Sequence, residues 1–349
     1  MRWMIYGATG YTGQLVVEEA IKRGHRPLLG GRNPQKLAVL ASRYDLDYVA
    51  FRLNDEAVIA EAIADVDLVY HGAGPFIHTS EPMIRACLAT HTHYLDITGE
   101  INVFERTYQY DDTARKVGVA LISGAGFDVV PSDCLSAYVA NEITGATHLE
   151  TGIIGLAGAS AGTTKSALEM MSKGWLARRD GVLVNTSFGD RRTTFTLPDG
   201  RKRHAVSAPW GDLAVAYRTT GIPNITSYLA MPSAMVNVGR ILYPIGTQLL
   251  KLAPVRQLAL SMVDRFVDGP DEQTRQESRS YIYAKATNYA GQSASAWLET
   301  LEPYQYTAKV GVLAVEQFRE RELIGALTPA QAFGVDFTLS VPDTTRQDV

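Results

Sequence analysis

The feature that most constrains the fold is a glycine-rich segment that directly follows a short apolar run near the start of the chain. Residues Arg2–Tyr6 have the pattern of a buried strand, Gly7–Gly13 reads Gly-Ala-Thr-Gly-Tyr-Thr-Gly, and a helical pattern occupies Thr12–Arg23. Glycines at this spacing serve a tight turn, a close approach of the backbone to a bound group, and close packing of the helix on the strand. The start of the helix also offers unbonded amides and the positive end of a helix dipole. The segment therefore predicts a strand–turn–helix unit that binds phosphate.

Strand-like and helix-like segments alternate through the first third of the sequence. Strands are predicted at Arg2–Tyr6, Arg26–Gly30, Asp47–Ala50, Leu68–His71, Tyr94–Asp96 and Val119–Ser123. Helices are predicted at Thr12–Arg23, Pro34–Tyr44, Glu56–Ala64, Glu81–Thr90 and Val103–Lys116. Parallel strands need crossover helices between them, so this alternation is typical of an α/β domain whose parallel sheet is covered on both faces. Six such strands complete a doubly wound domain of the Rossmann type.

The pattern changes after Pro131. Helices are predicted at Ser132–Asn141 and near Thr163–Ala177, with an apolar run at Leu149–Leu156 between them. Segments with β-branched or aromatic residues and turn-like ends follow, and they predict strands at Thr193–Leu197, Arg203–Ser207, Leu213–Thr219, Ile225–Met231, Ser280–Tyr289 and Ser293–Leu301. Strands clustered after a doubly wound half indicate a second domain with a mixed α+β sheet.

The domain boundaries follow from this change of pattern. We assign residues 1–135 to the Rossmann domain and residues 136–327 to a second domain for substrate binding and dimerisation. Pro329 stands at the first position of a last helical pattern, where proline is favoured. We expect this C-terminal helix, over about 328–345, to pack back on the first domain.

Length and composition limit the class of protein. A chain of 349 residues is long enough for two domains with separate cores. Because 33 Lys and Arg stand against 37 Asp and Glu, the net charge is −4, and no nucleic-acid partner is expected. The two cysteines, Cys87 and Cys134, are too few for a disulfide scaffold and favour a reducing compartment. We see no signal-peptide pattern, and prolines and asparagines between Arg218 and Arg240 disfavour a membrane span, so a cytoplasmic protein is expected.

The glycine-rich turn in this context predicts a dinucleotide cofactor, and the end of the second predicted strand indicates which one. NAD sites usually place an acidic residue there to bind the ribose 2′-hydroxyl. Here residues 30–33 read Gly-Gly-Arg-Asn, and Arg32 lies 19 residues past Gly13. A guanidinium at this place attracts an additional phosphate through charge-assisted, bidentate bonds, so the expected cofactor is NADP. The alternative is a solvated arginine ahead of the helix that starts at Pro34.

A second group of small residues, Gly72–Phe76, follows the fourth predicted strand. Small residues at this edge let the backbone come close to the ribose and nicotinamide of a dinucleotide, although an ordinary turn between strand and helix is the alternative. The residues assigned to cofactor binding are Gly7, Thr9, Gly10, Tyr11, Thr12, Gly13, Arg32, Gly72, Ala73, Gly74, Pro75 and Phe76.

These segments together resemble the saccharopine dehydrogenase-like oxidoreductases, a family that includes the trans-acting enoyl reductases of lipid and polyketide pathways. The matching segments are Tyr6–Gly13, Gly31–Arg32, Gly72–Phe76, Tyr94–Glu100 and Gly126–Asp133, with a fainter match at Ala161–Ser166. The resemblance covers about the first 135 residues and is patchy afterwards. It implies an NADP-binding Rossmann domain followed by a mixed-sheet substrate domain. It leaves the substrate open, because family members differ most in the second domain.

Acidic residues follow the fifth and sixth predicted strands, in the loops that border the nicotinamide of a doubly wound sheet. The cofactor carries the hydride, and the protein supplies orientation, a proton and charge stabilisation. Glu100, Asp128 and Asp96 are therefore the candidate catalytic residues, since burial would raise a carboxyl pKa toward that of a proton donor. The alternative is that the polar residues of these loops, Glu100 among them, cap helices.

Three other patterns are assigned no chemistry. Tyr281 and Lys285 have the Tyr-x-x-x-Lys spacing of short-chain dehydrogenases, but they lie on a predicted strand, where that spacing separates them by about 13 Å. The histidines His91 and His93, considered together with His71 and His78, have no cysteine or carboxylate framework at ligand spacing, so no metal site is predicted. The basic cluster at 201–204 follows a turn and is interpreted as a solvated hairpin tip.

The segment 228–266 is rich in Leu, Met, Ile and Val, and we expect Pro244 and Pro254 to cut it into short amphipathic pieces. One interpretation is packing in the core or at a subunit interface. The other is a lid or tunnel for an acyl chain, with peripheral contact to a membrane surface.

The resemblance favours an NADPH-dependent reductase that reduces the C=C bond of an apolar or carrier-linked acyl substrate. We also expect the protein to be a homodimer. The first alternative is a C=N reductase or amino-acid dehydrogenase of the saccharopine type. It needs a cationic clamp for substrate carboxylates, for which Lys165, Arg178 and Arg179 are the candidates. The second alternative is a non-catalytic protein that senses NADP.

Overall fold

The computed structural model describes residues 1–155, 160–162, 164, 174–266 and 269–349. The chain divides into two compact units. The first comprises Met1–Val130 and Tyr304–Val341, and the second comprises Pro131–Pro303 and Pro342–Val349.

The elements are numbered in chain order over these described residues. The strands are β1 Trp3–Tyr6, β2 Leu28–Gly31, β3 Tyr48–Ala50, β4 Leu68–His71, β5 His93–Asp96, β6 Ala120–Ile122, β7 Ala146–Ile154, β8 Trp175–Arg179, β9 Val182–Thr186, β10 Arg192–Thr196, β11 Lys202–Ser207, β12 Asn224–Ala230, β13 Arg279–Asn288, β14 Ser293–Leu301, β15 Gly325–Leu327 and β16 Thr345–Asp348. The helices are α1 Tyr11–Lys22, α2 Pro34–Tyr44, α3 Glu56–Ile63, α4 Phe76–Thr90, α5 Ile101–Gln109, α6 Asp111–Val117, α7 Val130–Asn141, α8 Asp212–Thr220, α9 Ser233–Lys251, α10 Ala253–Phe266, α11 Glu272–Glu277, α12 Pro303–Glu320 and α13 Pro329–Phe333, with a 3₁₀ helix at Phe337–Ser340.

The first unit is built on a seven-stranded parallel sheet in the order β15-β6-β5-β4-β1-β2-β3. The strand order reverses between β1 and β4, so the doubly wound α/β fold predicted from the sequence is confirmed. Strand side chains such as Ile5, Val69 and Leu95 have no exposed area, as expected where helices cover both faces of a parallel sheet. Tyr6 and His71 are paired in register, which brings the segments after β1 and β4 side by side.

The second unit contains a nine-stranded mixed sheet, which confirms the mixed α+β sheet expected for the second half. Its main path is β10-β11-β12-β7-β13-β14-β16, and β8 pairs with β12 and with β9. The β12–β7 pairing is parallel and the other pairings are antiparallel.

The division into units differs from the assigned ranges 1–135 and 136–327. The first unit ends at Val130 and resumes at Tyr304, because β15 extends the parallel sheet by pairing with β6. The chain from 304 to 327 therefore lies in the first unit. The single helix expected over 328–345 is also wrong: α13 ends at Phe333, and β16 pairs with β14 in the second unit.

Two local predictions in the second half are corrected. The segment Leu213–Thr219 was expected as a strand but is helical, because Asp212 is buried at its start and Gly221, at φ +69°, ends it in the left-handed conformation. The helix expected near Thr163–Ala177 overlaps strand β8 from residue 175 onward, and residues 163 and 165–173 lie outside the described residues.

Of the two prolines expected to divide the segment 228–266, Pro254 stands at a division between two helices and Pro244 does not. Helix α9 continues through Pro244, and Pro254 is the second residue of α10, where a proline removes no intrahelical hydrogen bond. Among the described residues, no helix combines the length and the apolarity that a membrane span requires.

Candidate functional site

The glycine turn after β1 packs against the loop after β4. Gly7 has φ +90°, and a Cβ built on it would lie 2.9 Å from the amide nitrogen of Ala73 and from the carbonyl carbon of Gly72. A Cβ on Gly13 would lie only 2.2 Å from the Gly7 oxygen. The two glycines are therefore required, one by backbone conformation and both by close contact.

Backbone hydrogen bonds fix the turn to β2 and leave the start of α1 open. The amides of Gly7 and Ala8 both donate to the Gly30 oxygen, over 2.9 and 3.2 Å, and the Gly10 amide donates to the Gly7 oxygen over 2.9 Å. Gly10 supplies no side-chain cap to α1, and the first turn of the helix carries no acidic residue. The positive end of this helix dipole is therefore available to an anion. The arrangement fits the pyrophosphate of a dinucleotide.

The loop Gly72–Phe76 is held by hydrogen bonds to the neighbouring strand β1, to its own strand β4 and to its own helix α4. The Gly72 amide donates to the Tyr6 oxygen over 2.8 Å, and the Ala73 oxygen accepts from Thr79 Oγ1 over 2.7 Å. His71 is fully buried, and burial lowers its pKa to about 4, so its ring is neutral and Nε2–H donates to the Ala73 oxygen over 3.3 Å. The loop is thus a rigid neighbour of the glycine turn.

Glu100 caps helix α4. Its two carboxylate oxygens accept from the amides of Phe76 and Ile77 over 2.8 and 2.9 Å, and the residue is only 5% exposed. Its own amide donates to Thr98 Oγ1 over 3.0 Å. A carboxylate at a helix start satisfies unbonded amides and complements the helix dipole, so Glu100 positions the loop Gly72–Phe76.

Asp96 lies in the interior and accepts four hydrogen bonds. The donors are the amides of Thr98 and Gly124, both over 2.9 Å, with Tyr94 Oη at 2.8 Å and Ser123 Oγ at 2.9 Å. Burial raises its pKa to about 6, and these hydrogen bonds oppose the shift. Asp96 therefore joins the loops after β5 and β6.

Asp128 is the least enclosed of the three acidic candidates. It is half-buried and follows β6, and a Cβ built on Gly99 would lie 2.9 Å from Asp128 Oδ2. The side chain thus lies directly against the loop that follows β5. The structure places Asp96 at the end of β5 and Glu100 and Asp128 in the loops after β5 and β6, so all three lie at one edge of the sheet but in different surroundings.

Arg32 directly follows β2 and its side chain is exposed. The next residue, Asn33, caps α2 by accepting from the Lys36 amide over 3.0 Å. The cap begins the helix immediately after Arg32, so Arg32 lies at the end of the strand beside the one that leads into the glycine turn.

Two residues near the site have no signal in the local sequence. The ring of Tyr304, at the start of α12, meets the ring of Tyr11 edge-on at 4.9 Å, although 293 positions separate them. The other residue is His71, whose neutral ring donates a hydrogen bond to the Ala73 oxygen in the loop Gly72–Phe76. No group of three or more His, Cys, Asp or Glu able to hold a metal ion occurs among the residues that the structure describes.

Comparison with known proteins agrees with this geometry. A family model described as NAD(P)H-binding matches residues 7–97, which include the glycine turn, Arg32 and the loop Gly72–Phe76. The "Saccharopine dehydrogenase-like oxidoreductase" of Bos taurus is 28% identical over 162 residues. The chain carries an NAD(P)-binding domain and resembles the saccharopine dehydrogenase-like oxidoreductases. The resemblance expected from the sequence is thereby confirmed.

The extent of the likeness differs between relatives. The match to the bovine protein covers 41% of this chain and only 38% of that protein. The Mycobacterium tuberculosis protein named "Putative trans-acting enoyl reductase Rv2449c" is 26% identical, and the match covers 95% of this chain and 93% of that protein. The solved structure of saccharopine dehydrogenase (L-Glu forming) from Saccharomyces cerevisiae covers 100% of this chain with a TM-score of 0.64 and 10% identity, a likeness of fold.

Proposed function

We propose that the protein is an NADPH-dependent reductase. The observation that carries the proposal is the start of α1, which no side chain caps and where Gly7 and Gly13 allow close packing of the backbone. The exposed Arg32 lies nearby, at the end of the neighbouring strand β2. A nicotinamide cofactor bound there would supply a hydride. The chain would supply the pyrophosphate site, the packing that excludes water, and the charge that selects the cofactor.

The preference for NADP over NAD rests on the end of β2. The strand ends at Gly31, and the residue that follows is a cation rather than the acidic residue that binds a free 2′-hydroxyl. A guanidinium forms strong, paired hydrogen bonds with phosphate, whereas a hydroxyl offers no matching charge. We therefore expect tighter binding of NADPH than of NADH.

The substrate class that we propose is an apolar or carrier-linked acyl group with a C=C bond. The M. tuberculosis relative, whose name includes enoyl reductase, is matched over nearly all of its length. In the second unit, the consecutive helices α9 and α10 and the residue between them carry large apolar side chains that are about half exposed: Met235, Val238, Leu249, Leu252, Leu258 and Met262. This apolar surface would suit an acyl chain or the surface of a membrane. We also propose that the protein is a homodimer, which light scattering after size exclusion would test.

The proton donor that we propose is Asp128. In the proposed reaction a hydride from the cofactor and a proton add across the C=C bond, so the enzyme must provide one proton for each turnover. Asp96 and Glu100 are buried, at 0% and 5% exposure, and their carboxylates bind the backbone amides of neighbouring loops. Asp128 is the partly exposed carboxylate of the three and follows β6 at the same edge of the sheet.

The amino-acid dehydrogenase alternative needs cationic side chains that face a substrate. Arg178 is 4% exposed, donates to the backbone oxygens of Leu213 and Gly181, and stacks on the ring of Tyr217 at 4.3 Å. Arg179 donates to the oxygens of its neighbours, among them that of Ile225 over 3.1 Å. These contacts hold both guanidiniums within the second unit. Lys165 lies outside the described residues.

The deciding experiment is a stopped-flow measurement of NADPH oxidation by the purified protein. We expect turnover with a long-chain enoyl thioester and none with a keto acid and an amine. Turnover only with the keto acid and amine would overturn the proposed substrate. Binding of NADPH without turnover of either would overturn the proposed enzyme activity. The variant Asp128→Asn should lower kcat at least about tenfold without changing the Kd for NADPH.

A further inference from the structure

A second arginine, Arg52, leaves the sheet beside Arg32. Strands β2 and β3 are parallel, and Gly31 is paired in register with Ala50. The Phe51 amide donates to the Gly31 oxygen over 2.9 Å, so the pairing continues past the end of β3. Arg32 and Arg52 therefore emerge from adjacent strands at the same edge of the sheet.

Tyr6 gives an independent measure of their proximity. Its ring packs on Phe51 at 4.8 Å, and its hydroxyl donates to the Phe51 oxygen over 3.1 Å. Burial raises the pKa of Tyr6 to about 12, and the positive charges of Arg32 and Arg52 both act against that shift. Both guanidiniums are thus within electrostatic reach of the same hydroxyl, at the end of the strand that leads into the glycine turn.

Neither guanidinium has an ion pair or a hydrogen bond with any other described residue, and both side chains are exposed. Several other arginines of the first unit bind carboxylates. The pairs are Arg23 with Glu316 at 2.7 Å, Arg26 with Asp45 at 2.8 Å, Arg85 with Glu81 at 2.9 Å, Arg106 with Glu81 at 3.1 Å, and Arg115 with Asp111 at 3.2 Å. Asp55, an acidic residue shortly after Arg52, uses its carboxylate to cap α3. Two unpaired guanidiniums at one edge provide the charge for a dianionic ligand.

We infer that Arg52 is a second cationic contact for the 2′-phosphate of the adenosine half, and that Arg32 and Arg52 hold this phosphate from two sides. The inference deepens the proposed function and rests on it. A phosphate monoester carries between one and two negative charges at neutral pH, and two guanidiniums can satisfy its three terminal oxygens where one leaves part of the charge in solvent. Arg52 is therefore a specificity-determining residue that acts on the cofactor.

The test compares dissociation constants of NADPH and NADH, measured by cofactor fluorescence, for the wild type and for Arg32→Ala, Arg52→Ala and the double variant. Each single variant should weaken NADPH about tenfold or more, as expected for the loss of hydrogen bonds to a charged group. Both should leave NADH within about twofold. Arg52→Lys keeps the charge and should recover part of the affinity, and Arg43→Ala, an exposed arginine of α2, is the control and should change nothing.

Adenosine 2′,5′-bisphosphate provides a second readout that does not depend on the nicotinamide. Its affinity should fall in Arg52→Ala, whereas the affinity of adenosine 5′-monophosphate should not. If Arg52→Ala weakens NADPH and NADH equally, or weakens neither, while Arg32→Ala still weakens NADPH selectively, this inference is wrong and the proposed cofactor stands. If the wild type does not distinguish NADPH from NADH, both are wrong.

Discussion

The role of Glu100 is decided by the two amides that it binds at the start of α4. The carboxylate accepts from Phe76 and Ile77 over 2.8 and 2.9 Å in a site that is almost closed to solvent. An unsatisfied buried amide costs about 1–3 kcal/mol. Loss of a negative charge at a helix start costs about 0.3–2 kcal/mol more. Partial entry of water into the space left by alanine reduces the sum, so Glu100→Ala should lower the free energy of unfolding by about 3 kcal/mol.

The variant Glu100→Gln separates a positioning role from a proton-donating one. The amide oxygen of glutamine can accept from one of the two amides, whereas its NH₂ group faces the other as a second donor. The free energy of unfolding should therefore fall by about 2 kcal/mol, measured by urea denaturation followed by circular dichroism. NADPH affinity should fall as well, because Phe76 belongs to the loop beside the glycine turn.

A matched control is Glu56→Gln, at the first residue of α3. Glu56 is exposed and forms a 3.3 Å ion pair with Arg85, so its loss should cost less than about 1 kcal/mol. The reasoning fails if Glu100→Gln unfolds at the wild-type urea concentration and binds NADPH normally. If such a protein also loses kcat by about a hundredfold, Glu100 is a proton donor.

Three further predictions concern the first unit. Gly13→Ala should weaken the binding of NADPH more than tenfold and lower the free energy of unfolding by about 1–3 kcal/mol, because the new Cβ would collide with the Gly7 oxygen. A wild-type NADPH affinity in a fluorescence titration would contradict this. Gly311→Ala should lower stability by about 1–3 kcal/mol, since its Cβ would lie 2.7 Å from the fully buried ring of Tyr70, and an unchanged melting temperature would show that the ring moves freely. Because the pKa of Asp96 rises from 3.8 to about 6 on folding, the folded state binds more protons between these values, and this carboxyl makes the free energy of unfolding fall as pH rises through that range. Asp96→Asn should flatten that part of the pH profile, and an equally steep profile in the variant would assign the slope to other groups.

The order of strands and helices in the first half could be predicted because each segment has a local signal. The bounds of α2 and β4 agree with the sequence patterns residue for residue, since a proline starts the helix and an unbroken apolar run forms the strand. Strand β15 has no such signal. It is three residues long and pairs with β6, about 200 positions away, so its place is fixed by pairing rather than by pattern.

Helix α8 shows how tertiary contacts override local preference. Its alternating β-branched and aromatic residues favour a strand. In the structure, however, Asp212 accepts from Ser132 Oγ and Thr151 Oγ1, both over 2.6 Å, and Leu213 is fully buried. These partners lie 61 or more positions away, so no window of the sequence around Asp212 could reveal them.

In the candidate site, too, some residues could be identified from the sequence, whereas the roles of others depend on contacts that only the structure shows. The roles of the glycines could be predicted from the sequence, because they depend on the absence of a side chain and not on any contact with another residue. The role of an acidic residue could not, since the same side chain can donate a proton from its protonated form where a substrate reaches it, or hold a loop through its ionised form where backbone amides surround it. Asp96 accepts four hydrogen bonds and Glu100 accepts from two amides, and both are buried, whereas Asp128 is partly exposed. Only the structure shows this difference. A proton donor must be within reach of the substrate, so a search for one in a fold of this kind should begin with the carboxyl group that the surrounding loops leave partly exposed.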